Sequence, residues 1–130
     1  MIPSEQESAE ALLRARQALE DHQRFWLGNV GKVELEFFEL DLLEDSERFM
    51  AVDIALGEIT PKDRDGPPPP DNVTSHPPFC GFPMYAFCWS SPQFSRRMYF
   101  KFALIPGSGK TQMGKTKLAI YAFHEPRTIV

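Results

Sequence analysis

The stretch Arg97-Met98-Tyr99-Phe100-Lys101-Phe102-Ala103-Leu104-Ile105 decides how this chain is read. Met98, Phe100, Phe102 and Leu104 share one parity, and Arg97, Tyr99, Lys101 and Ala103 share the other. Successive side chains of a strand point to opposite faces, so this period of two predicts a strand. One face belongs to a core and the other is basic and aromatic. To either side, residues 82–89 and 116–123 read as two further strands, the second ended by Pro126. Gly107 to Gly114 then becomes the hairpin loop that joins the last two strands.

That loop carries a complete match to the G-x-x-x-x-G-K-[ST] phosphate-loop pattern, Gly109-Lys110-Thr111-Gln112-Met113-Gly114-Lys115-Thr116. The pattern binds phosphate only where a strand delivers the loop onto a helix N-terminus, whose amides and dipole hold the anion. Here Lys117-Leu118-Ala119-Ile120-Tyr121-Ala122-Phe123 alternates like a strand, so the match is expected to be fortuitous.

Towards the N-terminus, residues 60–78 hold Pro67 to Pro70 and Pro77-Pro78 and read as a proline-rich loop. Residues 32–58 read as an acidic strand hairpin. Val33, Leu35 and Phe37 alternate with acids, then Phe38, Leu40 and Leu42 do so in shifted phase. The slip at Phe37-Phe38 predicts a bulge. After a turn at Glu44-Asp45-Ser46, Met50, Val52, Ile54 and Leu56 alternate as the second strand. Residues 1–28 read as a helix running from about Glu5 to Leu27. Ser4 and Glu7 have capping-box spacing, Gly28 supplies the stop, and Leu12, Leu19 and Trp26 recur every seven residues. Ala9, Leu13, Ala15 and Phe25 widen that apolar stripe.

One helix followed by about five strands, with no later helix to serve as a crossover, predicts an α+β fold. The expected architecture is a single domain over 1–130: one N-terminal amphipathic helix packed on a bent antiparallel sheet, with a basic and aromatic strand segment over 79–124. In outline it resembles the cystatin-like folds.

Composition adds bounds. Hydrophobic residues make up 42% and charged residues 25%, ordinary values for a globular protein. No apolar run approaches the roughly 18 residues needed to span a bilayer, and the acidic N-terminus does not resemble a secretory leader. A cytoplasmic protein without a membrane partner is therefore expected. Cys80 and Cys88, eight apart within one apolar stretch, are expected to be free thiols. His22, His76 and His124 lack metal-ligand spacing, and no cofactor motif survives the phosphate-loop argument.

Charge is distributed unevenly. Residues 1–60 carry fourteen acids and five bases, and residues 61–130 carry four acids and nine bases. Seven acids and no base lie between Glu34 and Glu47; six bases and no acid lie between Arg96 and Lys117. The candidate binding residues are accordingly Arg96, Arg97, Tyr99, Lys101, Lys110, Lys115 and Lys117. Three readings compete. A non-enzymatic interaction module of inhibitor, immunity or adaptor type would meet a partner protein, or a second copy, through a charged face. A single-stranded nucleic-acid platform would stack bases on Tyr99, Phe100 and Tyr121, against the net charge of −4. A pocket enclosed by the sheet would bind or convert a small molecule, with an acid such as Asp53 as general base.

Overall fold

The computed structural model describes residues 5–21, 24–26, 36, 40, 42, 44–65, 73–76, 79–105 and 116–124. It contains helix α1 (Glu5–Glu20), strand β1 (Arg24–Trp26), helix α2 (Asp45–Glu58) and a 3-10 turn (Pro61–Asp63). Strands β2 (Arg64–Asp65), β3 (Val73–His76), β4 (Phe79–Ser91), β5 (Arg96–Ile105) and β6 (Lys117–His124) follow. The class is α+β, with the N-terminal helix packed against a largely antiparallel sheet of order β1-β6-β5-β4-β2, and β3 also pairs with β4.

β5 forms the strand that its alternation predicts. Met98, Phe100, Phe102 and Leu104 are buried against the helices, and β4 and β6 flank it in antiparallel register. In β6 the register slips between Lys101 and Phe102 of β5, which pair with Ala122 and Ile120. Tyr121 is therefore the inserted residue of a bulge, and the slip lets Leu118, Ile120 and Phe123 all face the core despite their uneven spacing. A second irregularity lies between β3 and β4, where Val73 pairs with Pro83 but Ser75 with Cys80. Gly81 sits in that extra length at a φ of 82°, a conformation that glycine adopts without Cβ strain.

The main core joins both helices to one sheet face. Ala11, Leu12, Ala15, Ala18 and Leu19 of α1 and Ala51, Val52, Ala55, Leu56 and Ile59 of the α2 segment pack with Phe87, Trp89, Phe100, Phe102, Ile120 and Phe123. On the other face, Met84, Ala103, Ile105 and Ala119 form a smaller cluster flanked by Phe82 and Tyr121.

Four expectations are corrected. First, α1 ends at Glu20, so Phe25 and Trp26 belong to β1, which pairs in parallel with Leu118 to Ile120 of β6. A heptad spacing cannot distinguish a further stretch of helix from a strand that completes a sheet edge, where the backbone gains ladder hydrogen bonds. Ala9 and Leu13 are also exposed rather than part of the stripe, Leu13 at 65%. Secondly, the second strand of the acidic hairpin is helix α2. Val52 and Leu56, and Ala51, Ala55 and Ile59, recur at helical spacing and are buried, whereas Met50 is 64% exposed. The Glu47 carboxylate accepts the amide of Glu44 at 3.2 Å, closing the first turn. The α+β class thus holds with two described helices where one was expected.

Thirdly, the loop over 60–78 is not free of structure, because β2 and β3 lie within it and both pair with β4. Prolines 67–70, 77 and 78 lie outside the described residues, as do Lys110 and Lys115 and most of the first strand expected over 32–42. Fourthly, Glu36, one of the few described residues of that strand, has helical backbone. The residue that follows the phosphate-loop pattern begins β6, so the pattern lacks the helix that its chemistry requires.

Candidate functional site

The sheet face opposite the helices carries three of the sequence-predicted residues, Arg97, Tyr99 and Lys101. Along β5, Arg97, Tyr99 and Lys101 alternate with the buried Met98 and Phe100 and therefore point away from the helices. Across the sheet, Arg97 is opposite Ser90, Tyr99 lies between Cys88 and His124, and Lys101 lies between Ala86 and Ala122. Beyond Ala86 in the same row is Asp65 of β2. Lys117 pairs with Ile105 at the opposite end of β5, eight residues from Arg97. That separation is about 26 Å at a strand's rise per residue. Arg96 has the other parity and lies at the hairpin end beside Ser91. The described candidates thus form one row, Arg97-Tyr99-Lys101, with Arg96 at its tip and Lys117 remote.

Tyr99 is half-buried, its ring centroid 5.1 Å from that of His124. Burial first, and then the negative charge of Asp65, push its hydroxyl up to about 12. Lys101 holds its ammonium 5.3 Å above the ring of Tyr121. At the β6 edge, Glu36 is buried and takes the amide of Phe123 at 3.0 Å. Phe123 lies past Ile120, the last β6 residue paired with β1, so the carboxylate supplies an acceptor where the neighbouring strand has ended. Its other oxygen stands 4.0 Å from Nε2 of His124. One member of the acidic run therefore reaches the basic face, a contact that sequence order could not place.

Sequence reasoning also missed the network that fixes the tip of this face. Glu58, the last residue of α2, accepts Nε1 of Trp89 at 2.9 Å, the hydroxyl of Ser91 at 2.6 Å and the amide of Gln93 at 3.2 Å. Ser91 Oγ in turn accepts the amide of Phe94 at 3.1 Å. Burial would raise the Glu58 carboxyl, but its hydrogen bonds to Ser91, Trp89 and Gln93 outweigh that and hold it below the ordinary 4.5. α2 has no basic residue in its last turn; Arg16 of α1 instead donates both Nε, at 2.8 Å, and Nη2 to the Leu56 carbonyl. The turn at 92–95 ends with Ser95 at a φ of 54°, unusual for a residue with a Cβ. A shallow depression of about 390 Å³ lies at this tip, lined by Ser90, Ser91, Pro92, Ser95, Arg96 and Arg97.

Asp53, the acid considered as a general base, belongs to α2. It is exposed on α2, at the rim of an open depression of about 300 Å³ shared with Leu19, Glu20, Arg24 and Phe49. Arg24 fills part of that space, its guanidinium carbon 4.1 Å from the Phe49 ring centroid. Cys88 is a free thiol, and no group of three His, Cys, Asp or Glu side chains converges among the described residues. None of the described helices is long and apolar enough to cross a membrane. Comparison with protein-family models, curated proteins and solved structures finds no match to this chain.

Proposed function

We propose that this chain is a non-enzymatic interaction module that binds an acidic surface of a partner protein through the outer face of β5. The observation that carries the reading is the row Arg97-Tyr99-Lys101, held on the face opposite both helices, with Arg97 exposed at its end. A strand fixes such a row at about 6.6–6.8 Å between alternate residues, so the cations meet a partner without first being ordered. Like-signed charge in a fixed array accelerates encounter with the opposite sign and sets orientation.

The same geometry argues against the nucleic-acid reading. Tyr99 lies against His124, and Lys101 covers Tyr121, so two of the three aromatic residues expected to stack on bases already contact side chains. The third, Phe100, is fully buried.

The test is the double reversal Arg97→Glu and Lys101→Glu. Proteins retained from the native host by the wild-type chain are identified and their association is followed by biolayer interferometry. The expected result is an acidic partner whose association slows about tenfold with the variant, with little change in dissociation. Undiminished association, or tight retention of a single-stranded oligonucleotide near 150 mM salt, overturns the reading.

A further inference from the structure

We infer that the depression at the tip of the β4–β5 hairpin binds a phosphoryl group carried by the partner protein, an inference that rests on the interaction reading above. Among the described residues its lining consists of Arg96, Arg97, three serines and Pro92, with no acid. The ladder explains how adjacent residues of opposite parity reach one place. Ser90 pairs with Arg97 and Ser91 with Arg96 at the last two rungs, where the sheet ends and the turn begins. Arg97 donates Nη1 to the Ser90 hydroxyl across the ladder at 3.3 Å. Arg96 donates Nε to the Phe94 carbonyl at 3.2 Å, which folds its side chain back over the turn. One bond of this kind commits one of the five N–H donors of Arg97 and leaves its exposed guanidinium able to grip an anion in bidentate fashion.

The donor set fits a phosphoryl group better than a carboxylate. One bidentate arginine satisfies a planar carboxylate, whereas a phosphoryl group carries about −1.5 to −2 charge and three acceptor oxygens pointing in different directions. Two arginines and the exposed Ser90 and Ser95 line this one depression, which offers cations and hydroxyls together. The turn that presents them is fixed beforehand by Glu58, through Ser91 and the Gln93 amide. Glu58 itself is not part of the lining. A nucleic-acid phosphodiester brings one charge per group and would need a track of cations, whereas these two stand at a single tip.

The experiment uses the full chain and isothermal calorimetry with four probes. These are a phosphoserine hexapeptide with alanine and glycine flanks, its unphosphorylated form, its glutamate form and inorganic phosphate. The expected result is saturable binding of the phosphopeptide alone, weakened at least tenfold by Arg97→Gln and by Arg96→Gln, and unaffected by Lys62→Gln on the 3-10 turn. Amide NMR spectra establish that each variant remains folded. Equal affinity for the glutamate peptide overturns the phosphoryl assignment, and equal affinity for inorganic phosphate overturns the protein-borne source. Phosphopeptide silence, with the acidic partner still lost in the Arg97→Glu and Lys101→Glu variant, overturns this inference and leaves the interaction reading standing. Failure of both arms sinks both.

Discussion

Replacing Glu58 with alanine should unfold the protein at markedly lower denaturant. The carboxylate accepts three donors, and two of them, the indole of Trp89 and the hydroxyl of Ser91, belong to residues no more than 3% exposed. Each buried donor left without a partner costs about 1–3 kcal/mol. The Gln93 amide belongs to an exposed residue and can turn to water, so it adds little. The relieved desolvation of the carboxylate offsets part of the loss. The net expectation is therefore about 2–4 kcal/mol for Glu58→Ala. Glu58→Gln should cost about half of that, because one carbonyl oxygen remains to accept while the new amide group faces the Gln93 N–H. The pH dependence separates this from a packing effect. Glu58 titrates below its ordinary 4.5 in the folded protein, so its stabilising contribution is fully present above that value and lost as pH falls through the lower folded one. The difference between wild type and Glu58→Gln should accordingly shrink as the pH drops below 4.5. Urea unfolding followed by tryptophan fluorescence, at neutral pH and at a series of acid values, reads all three quantities. A loss below about 0.5 kcal/mol for Glu58→Ala, within the range of an ordinary surface change, would refute the network's role. So would a Glu58→Gln difference that does not vary with pH.

Three further outcomes are expected. Leu56→Ala should destabilise by about 2–5 kcal/mol and Met50→Ala by less than about 0.5, measured by urea unfolding, because α2 buries the first residue and exposes the second; equal losses would restore the strand reading of residues 50–56. Ultraviolet titration should find Tyr99 ionising near 12, and wild type should lose stability relative to Tyr99→Phe as pH rises from about 10 through 12, since a raised folded value favours the neutral form that only the native state retains. ATP and GTP should give no saturable heat with wild type or with Lys115→Ala in calorimetry, because β6 stands where a phosphate loop needs its helix.

Residues 97–105 by themselves determine a strand and its two faces. An unbroken period of two has one solution that buries Met98, Phe100, Phe102 and Leu104 together. The basic and aromatic row of the candidate site was legible for the same reason, since parity alone puts Arg97, Tyr99 and Lys101 on one side. The segment 50–59 was not legible by the same rule. Met50, Val52, Ile54 and Leu56 alternate, but Ala51 and Ala55 fill the gaps, and such a run satisfies a helix and a strand alike. Its arbiters were the Glu44–Glu47 spacing at its start and the presence of α1 and the sheet as a surface to cover. Trp26 shows the converse. Its heptad spacing from Leu19 is a local fact, while the open edge of β6 that draws residues 24–26 into parallel pairing lies over ninety positions along the chain. The tip of the hairpin belongs to the same class. Arg96, Arg97 and the serines are neighbours in sequence, but the acceptor that shapes their turn comes from Glu58, 33 residues before Ser91. Local periodicity determines which face a side chain takes; only the assembled core decides which distant backbone or carboxylate that face will meet, because such contacts repay their ordering cost collectively.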